Sequence, residues 1–394
     1  MQQAAQAAIL DSVELKIPPA SVYVPAEDRA WILSRIDEVL QSGRLTLGPY
    51  GAELEKAFAE RCQVRYAAVV NSGTSALEII LRSIGVEGRE IVVPTNTFYA
   101  TGGAVLHAGG RIRFADCEPE SFALDVESLR SAIGPQTAAV VIVHVGGIIS
   151  PRIAEIRSIC DAAAVPLVED AAHAHGCLSN GKAAGSFGKA AAFSFYPTKV
   201  MTSGEGGILV TDDEAIHREA LIYRDQGKEG FTTNFHVRLG YNWRLSEPHA
   251  IIGIAQLRRL DEFIARRNAV AAVYDEGLPK LAPLITPVLP PPGSLCNYYK
   301  YMALLNGVDR AALKKLLREE FGVGLSGEVY DTPCHLQPVF AGIASGPLPK
   351  AEDLCARHVC LPVSAVMTES DARYVLESLT AALARLSTVR AGAD

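Results

Sequence analysis

No stretch of the sequence approaches the roughly 18 consecutive apolar residues that a membrane-spanning helix needs, so an integral membrane protein is not expected. The N-terminal MQQAAQAAILDS has no basic region ahead of a hydrophobic segment of leader length, and a cytoplasmic location is the expectation. Runs of lysine and arginine are missing, as is any basic stripe interleaved with aromatics. With a formal net charge of −7, this argues against a phosphate-backbone-binding surface, and no nucleic-acid partner is expected. Cys62, Cys117, Cys160, Cys177, Cys296, Cys334, Cys355 and Cys360 form no CxxC pair and sit mostly in apolar segments. They read as small core residues of a reducing compartment, and neither a structural zinc site nor a disulfide framework is expected. Internal repeats and low-complexity tails are also missing. What remains is a chain of 394 residues, 49% hydrophobic and 21% charged, which is ordinary for a soluble enzyme and long enough for two domains.

Periodicity organises the chain. Pro25 to Gly43 carries Ile32, Ile36, Val39 and Leu40 on one face and ends in a glycine, as an amphipathic helix does. After the turn Leu47-Gly48-Pro49, a second helix runs through Leu54 and Phe58. From Tyr66 to about Gly207, short apolar strands (Tyr66 to Val70, Glu90 to Val93, Arg111 to Phe114, Ala138 to His144, Pro166 to Val168, Ala191 to Phe195) alternate with helical segments such as Thr74 to Ser83 and Ala100 to His107. Such alternation predicts an α/β fold with a mostly parallel sheet covered by helices. Ser246 is expected to cap one long helix through Leu257, Leu260 and Ile264, and Leu289-Pro290-Pro291-Pro292-Gly293 reads as a linker. Beyond it, a strand (Tyr299 to Leu305), a helix (Arg310 to Phe321) and a terminal helix after Thr368 predict a smaller C-terminal α+β domain. The expected division is an N-terminal segment and helix (1–45), a large domain (46–265) and a small domain (266–394).

Four segments of the alternating region carry chemistry. Asn71-Ser72-Gly73-Thr74-Ser75 lies between a strand and a helix, where free amides, a glycine and hydroxyls make an anion cradle fit for a phosphate; the same hydroxyls also serve as ordinary helix caps. Thr97-Phe98-Tyr99-Ala100-Thr101 follows a strand, and an aromatic there can lie on a planar cofactor or simply join the core. In Val168-Glu169-Asp170-Ala171-Ala172-His173-Ala174-His175, the acid falls at the carboxyl end of a buried strand, where parallel sheets place ligand groups. It fits a cationic ring nitrogen, and it fits a helix cap as well; a metal reading with His173 and His175 lacks a supporting ligand set. Lys199 follows the strand ending at Phe195 and the breaker Tyr196-Pro197, on a turn rich in Ser194, Thr198, Thr202 and Ser203. Partial desolvation there lowers an amine's pKa and makes it a nucleophile for Schiff-base chemistry. Cradle, aromatic, carboxylate and lysine on successive strand-to-helix turns together point to a pyridoxal phosphate site with no metal.

The wording and order of SGTSAL, PTNTFYAT, VEDAAHAHG, FSFYPTK, GEGG and GYNWRLSE resemble the DegT/DnrJ/EryC1/StrS family of pyridoxal-phosphate aminotransferases, of the fold-type-I aspartate aminotransferase superfamily. The resemblance runs from about Leu47 to the final helix. It implies that Lys199 forms the Schiff base with pyridoxal 5′-phosphate, Asp170 pairs with the ring nitrogen, His173 stands near the ring hydroxyl, Gly73, Thr74 and Ser194 hold the phosphate, and Phe98 stacks on the ring. Asn242 corresponds to an asparagine that reaches the phosphate of the neighbouring subunit, so a homodimer with shared sites is expected. His173 stands where many members carry glutamine. The segment Gly327 to His335 lacks the His-Tyr pair common in the family, and Tyr330 and His335 are the substrate-contact candidates. The implied reaction moves an amino group from glutamate or glutamine to the keto group of a nucleotide-linked sugar, or else of a keto-cyclitol. A sugar dehydratase, in which histidine replaces the lysine, and a non-catalytic regulatory protein are the alternatives from other classes.

Overall fold

Six of the seven strands in the central sheet are buried along nearly their whole length, as strands covered by helices on both faces must be. The computed structural model describes residues 15–230, 234–343 and 346–391. The strands are β1 (Tyr66–Val70), β2 (Glu90–Pro94), β3 (Arg111–Ala115), β4 (Thr137–Val143), β5 (Leu167–Asp170), β6 (Ala190–Ser194) and β7 (Gly207–Thr211), in the order β1-β7-β6-β5-β4-β2-β3. Only β7 runs antiparallel to its neighbours, so the sheet is mostly parallel as expected. β3 alternates exposed Arg111 and Arg113 with buried Ile112 and Phe114, a pattern that suits an edge strand.

Alternation along the strands divides their side chains between two apolar layers. Val69, Val92, Val140, Ile142, Phe193 and Val210 pack with Leu54 and Phe58 on one side; Ala68, Val70, Ile91, Val93, Val141 and Leu209 pack with Leu77, Ile80 and Val105 on the other. The helices are α1 (Ala26–Ser42), α2 (Pro49–Arg61), α3 (Gly73–Ile84), α4 (Tyr99–His107), α5 (Val126–Ala132), α6 (Ile153–Ala162), α7 (Glu214–Arg224), α8 (Glu247–Arg258) and α9 (Leu260–Gly277). Gly43 ends α1 as expected, in the left-handed conformation at φ 69°.

The expected single helix from Ser246 through Ile264 is instead two, α8 and α9, broken at Arg259. The Arg259 side chain bonds Glu27 and Asp28 at the start of α1, and Glu262, pinning the corner. Ser246 takes the N-cap position as expected, but its hydroxyl caps no amide and pairs with His249 Nδ1 at 2.6 Å. Its neighbour Glu247, buried, accepts instead from the amides of Gly48, Tyr50 and Gly51 at the start of α2, at 2.9–3.0 Å. A carboxylate there meets both the orphan amides and the helix dipole.

α9 carries the chain between two cores, with Leu260, Phe263 and Ile264 in the layer beside the sheet and Val270, Ala271 and Tyr274 in a second cluster. That cluster is built on an antiparallel sheet of β8 (Ile285–Pro287), β9 (Tyr301–Leu305) and β10 (His358–Leu361), with α10 (Arg310–Phe321), α11 (Pro349–Arg357) and α12 (Glu369–Ala391).

Candidate active site

Because β1, β2, β5 and β6 point the same way, the segments that follow them gather at one edge of the sheet, and they line a cavity of about 570 Å³. The turn after β1 forms one wall. Ser72 caps α3, its hydroxyl accepting from Ser75 N at 3.1 Å, so the capping role foreseen for these hydroxyls is real. The amides of Gly73 and Thr74 are first in the helix and have no intrahelical acceptor, and both residues line the cavity beside Ser194. A Cβ at Gly73 would lie 2.9 Å from Ser194 Cβ, and one at Gly207 would lie 2.3 Å from the Ser72 carbonyl carbon. Two glycines thus let the turn settle onto β6 and β7, leaving a cradle of amides and hydroxyls.

Asp170 ends β5 and is buried. Thr101 donates to its Oδ2 at 2.6 Å and the Ala172 amide to Oδ1 at 3.2 Å, while burial raises its pKa. A cation set against it would reverse that rise. His173 is buried with Nδ1 unpartnered, and desolvation first, then the positive charges of Lys199 and Lys300, hold its pKa well below the usual value. It is therefore neutral. Tyr299 stacks on it with ring centroids 4.2 Å apart, and Tyr330 lies beyond at 6.1 Å. Asn297 fixes this arrangement: Nδ2 donates to the carbonyls of His173 and His175, and Oδ1 accepts the Tyr299 amide at 2.8 Å.

Lys199 sits on the turn after β6, its amide held by the Tyr196 carbonyl at 2.9 Å. Burial lowers its pKa to about 8, against a smaller opposing effect of Asp170. Its Nζ lies 4.7 Å from the centre of the Tyr299 ring. The amine is thus partly desolvated and gives up its proton more readily than an ordinary lysine, which favours a nucleophile and proton carrier.

The structure brings Gly73, Thr74, Phe98, Asp170, His173, Ser194, Lys199 and Tyr330 to one cavity. It does not bring His335 there. That ring is buried between the Thr95 hydroxyl, 2.7 Å from Nδ1, and Glu352, 3.1 Å from Nε2, so both nitrogens are engaged away from the cavity. Asn242 also lies outside the lining of its own chain; it is exposed and bridges to Asp225, next to Trp243, whose carbonyl takes the Asn71 amide at 2.9 Å. Tyr299, Lys300 and Glu328 line the cavity although the sequence reading singled out none of them. The run Asn297-Tyr298-Tyr299-Lys300-Tyr301, polar and aromatic ahead of a strand, was the one signal available for the first two.

A cradle of amides and hydroxyls at a helix start, a buried carboxylate that forms no ion pair among the described residues, a neutral histidine with a free nitrogen and a lysine of lowered pKa, all around the carboxyl edge of this sheet, define a fold-type-I pyridoxal phosphate enzyme. The model of the DegT/DnrJ/EryC1/StrS aminotransferase family matches residues 27–380, and the chain belongs to that family. It is a pyridoxal-phosphate-dependent aminotransferase. GDP-perosamine synthase of Caulobacter vibrioides is 32% identical over 373 residues, covering 92% of this chain and 98% of its own. dTDP-3-amino-3,4,6-trideoxy-alpha-D-glucose transaminase of Micromonospora megalomicea subsp. nigra is 35% identical over 342 residues, covering 85% and 90%. Among solved structures, the aminotransferase TlmJ from Streptoalloteichus hindustanus is similar with a TM-score of 0.86 at 30% identity, covering 94% of this chain and all of that one. The residues present fit the cofactor: the cradle suits its phosphate, Asp170 its protonated ring nitrogen, His173 its ring oxygen and Lys199 its aldehyde.

Proposed function

We propose that this aminotransferase moves an amino group from glutamate or glutamine to the keto group of a nucleotide-linked sugar, with Lys199 as the Schiff-base amine. The observation that carries the reading is the convergence of Lys199, Asp170 and the Gly73–Thr74 cradle on one cavity, together with relatives whose names specify GDP- and dTDP-linked sugars. Bound pyridoxal phosphate supplies the electron sink for the carbon that loses its proton. Asp170 keeps the ring nitrogen protonated. Lys199 would be the group that takes the proton from the donor's α-carbon and delivers one to the acceptor carbon. Neutral His173 would face the ring oxygen, with the rings of Tyr299 and Tyr330 stacked beside it in the cavity lining. Donor and acceptor use the same cavity in turn, so kinetics are ping-pong.

The chain acts as a cytoplasmic homodimer in which Asn242 reaches the neighbouring subunit's phosphate. Exposed Phe98 and Tyr196 at the cavity, and Phe235 and Leu239 on the 230s segment, are the kind of apolar surface that a second copy covers and so support this. The split of α9 between two cores supports the division near residue 265. The test is to load the enzyme with pyridoxamine phosphate and offer GDP- and dTDP-linked keto sugars alongside keto-cyclitols. Return of the pyridoxal phosphate absorbance band with a nucleotide-linked ketone is expected; return with cyclitols alone would replace the acceptor class.

A further inference from the structure

We infer that Lys300 is an anion-binding residue of the cavity and takes an anionic oxygen group of a substrate, either the donor's carboxylate or the acceptor's phosphate. The inference rests on the donor and acceptor classes proposed above. Lys300 is half-buried in the same lining as Lys199 and Asp170, with its Nζ 5.6 Å from the centre of the Tyr299 ring that Lys199 also approaches. Its ammonium has three donors, and one goes to the Gly327 carbonyl at 3.1 Å, which fixes the head group without neutralising it.

Three acids line the cavity, and none forms an ion pair with Lys300 among the described residues. Asp170 is buried behind Thr101 and faces Lys199. Glu328, the sequence neighbour of Gly327, has both oxygens on Lys314 Nζ at 2.8 and 2.9 Å, with Arg310 at 3.9 Å. Glu205 is exposed and makes no ion pair with it. Once Lys199 is committed to the cofactor, Lys300 is the cation of this lining with donors to spare. Partial desolvation beside Tyr299 strengthens its bond to an incoming anion.

The experiment uses holoenzyme of the wild type, Lys300→Gln and Lys300→Arg. Titration with L-glutamate is followed by cofactor absorbance. GDP and dTDP are titrated by calorimetry, with guanosine and thymidine as uncharged controls. Lys300→Gln is expected to raise the dissociation constant of an anionic probe about tenfold or more, the size of one charge-assisted hydrogen bond, and Lys300→Arg to recover most of it. Loss confined to L-glutamate assigns the anion to the donor; loss confined to the nucleoside diphosphates assigns it to the acceptor. The inference is overturned if Lys300→Gln binds all three anionic probes as the wild type does, if it loses the uncharged controls equally, or if the wild type binds none of the three. A wild type that answers neither L-glutamate nor L-glutamine by absorbance refutes the proposed donor, while the nucleotide titrations still judge Lys300.

Discussion

Asp170 ends β5 and Lys199 lies on the turn after the adjacent strand β6, and their chemistry follows from how each is buried. Asp170 is held by Thr101 and the Ala172 amide whether or not a cation faces it, so Asp170→Asn should keep the fold and cofactor binding. Its ionic role grows as charge develops on the ring, and turnover should fall by about 100-fold or more in steady-state assays while cofactor occupancy by absorbance stays near wild type. Wild-type turnover would reduce Asp170 to a cap. The lowered pKa of Lys199 gives a second expectation. In cofactor-free protein the amine is mainly protonated below about pH 8 and free above it, so stopped-flow capture of pyridoxal phosphate should accelerate by about tenfold per pH unit up to about 8 and then level off. An unperturbed lysine would keep accelerating beyond pH 10. At this scale the residues that meet in the cavity were legible because each occupies a short segment at a strand end. His335 misled because its partners, Thr95 and Glu352, are distant in sequence. Tyr299 and Lys300 left only the run Asn297 to Tyr301 as a signal, because it is folding that sets the segment before β9 against the loop after β5.

At the scale of elements, short apolar runs marked the strands, while the edge position of β3 was not read from its sequence and shows in the exposure of Arg111 and Arg113. Strand β7 offered no sign of its reversed direction, which is set by its antiparallel pairing between β1 and β6. The break at Arg259 was likewise invisible, because its cause is ion pairing with α1 more than 200 residues earlier in the chain. Glu247 shows how tightly these elements are tied, since one carboxylate from α8 serves three amides of α2. Glu247→Ala should strand those amides and lower unfolding free energy by about 2 kcal/mol or more, measured by urea denaturation. No change in the transition midpoint would mean that water satisfies α2 equally well.

At the scale of the whole molecule, the proposed shared site makes one subunit's Asn242 depend on the other subunit's Lys199. Lys199→Ala and Asn242→Asp subunits, each inactive alone, should regain about half of wild-type activity in purified mixed dimers, because one of the two sites then holds both intact residues. Mixed dimers without activity would confine Asn242 to its own chain, where it bridges to Asp225. Every role proposed for the other cavity residues depends on Lys199 being the amine that holds the cofactor. Borohydride reduction of the holoenzyme followed by peptide mass spectrometry reads this directly. The phosphopyridoxyl mass should appear on the peptide containing Lys199 and vanish in Lys199→Ala; a label on another lysine, or one that persists in the variant, would contradict it.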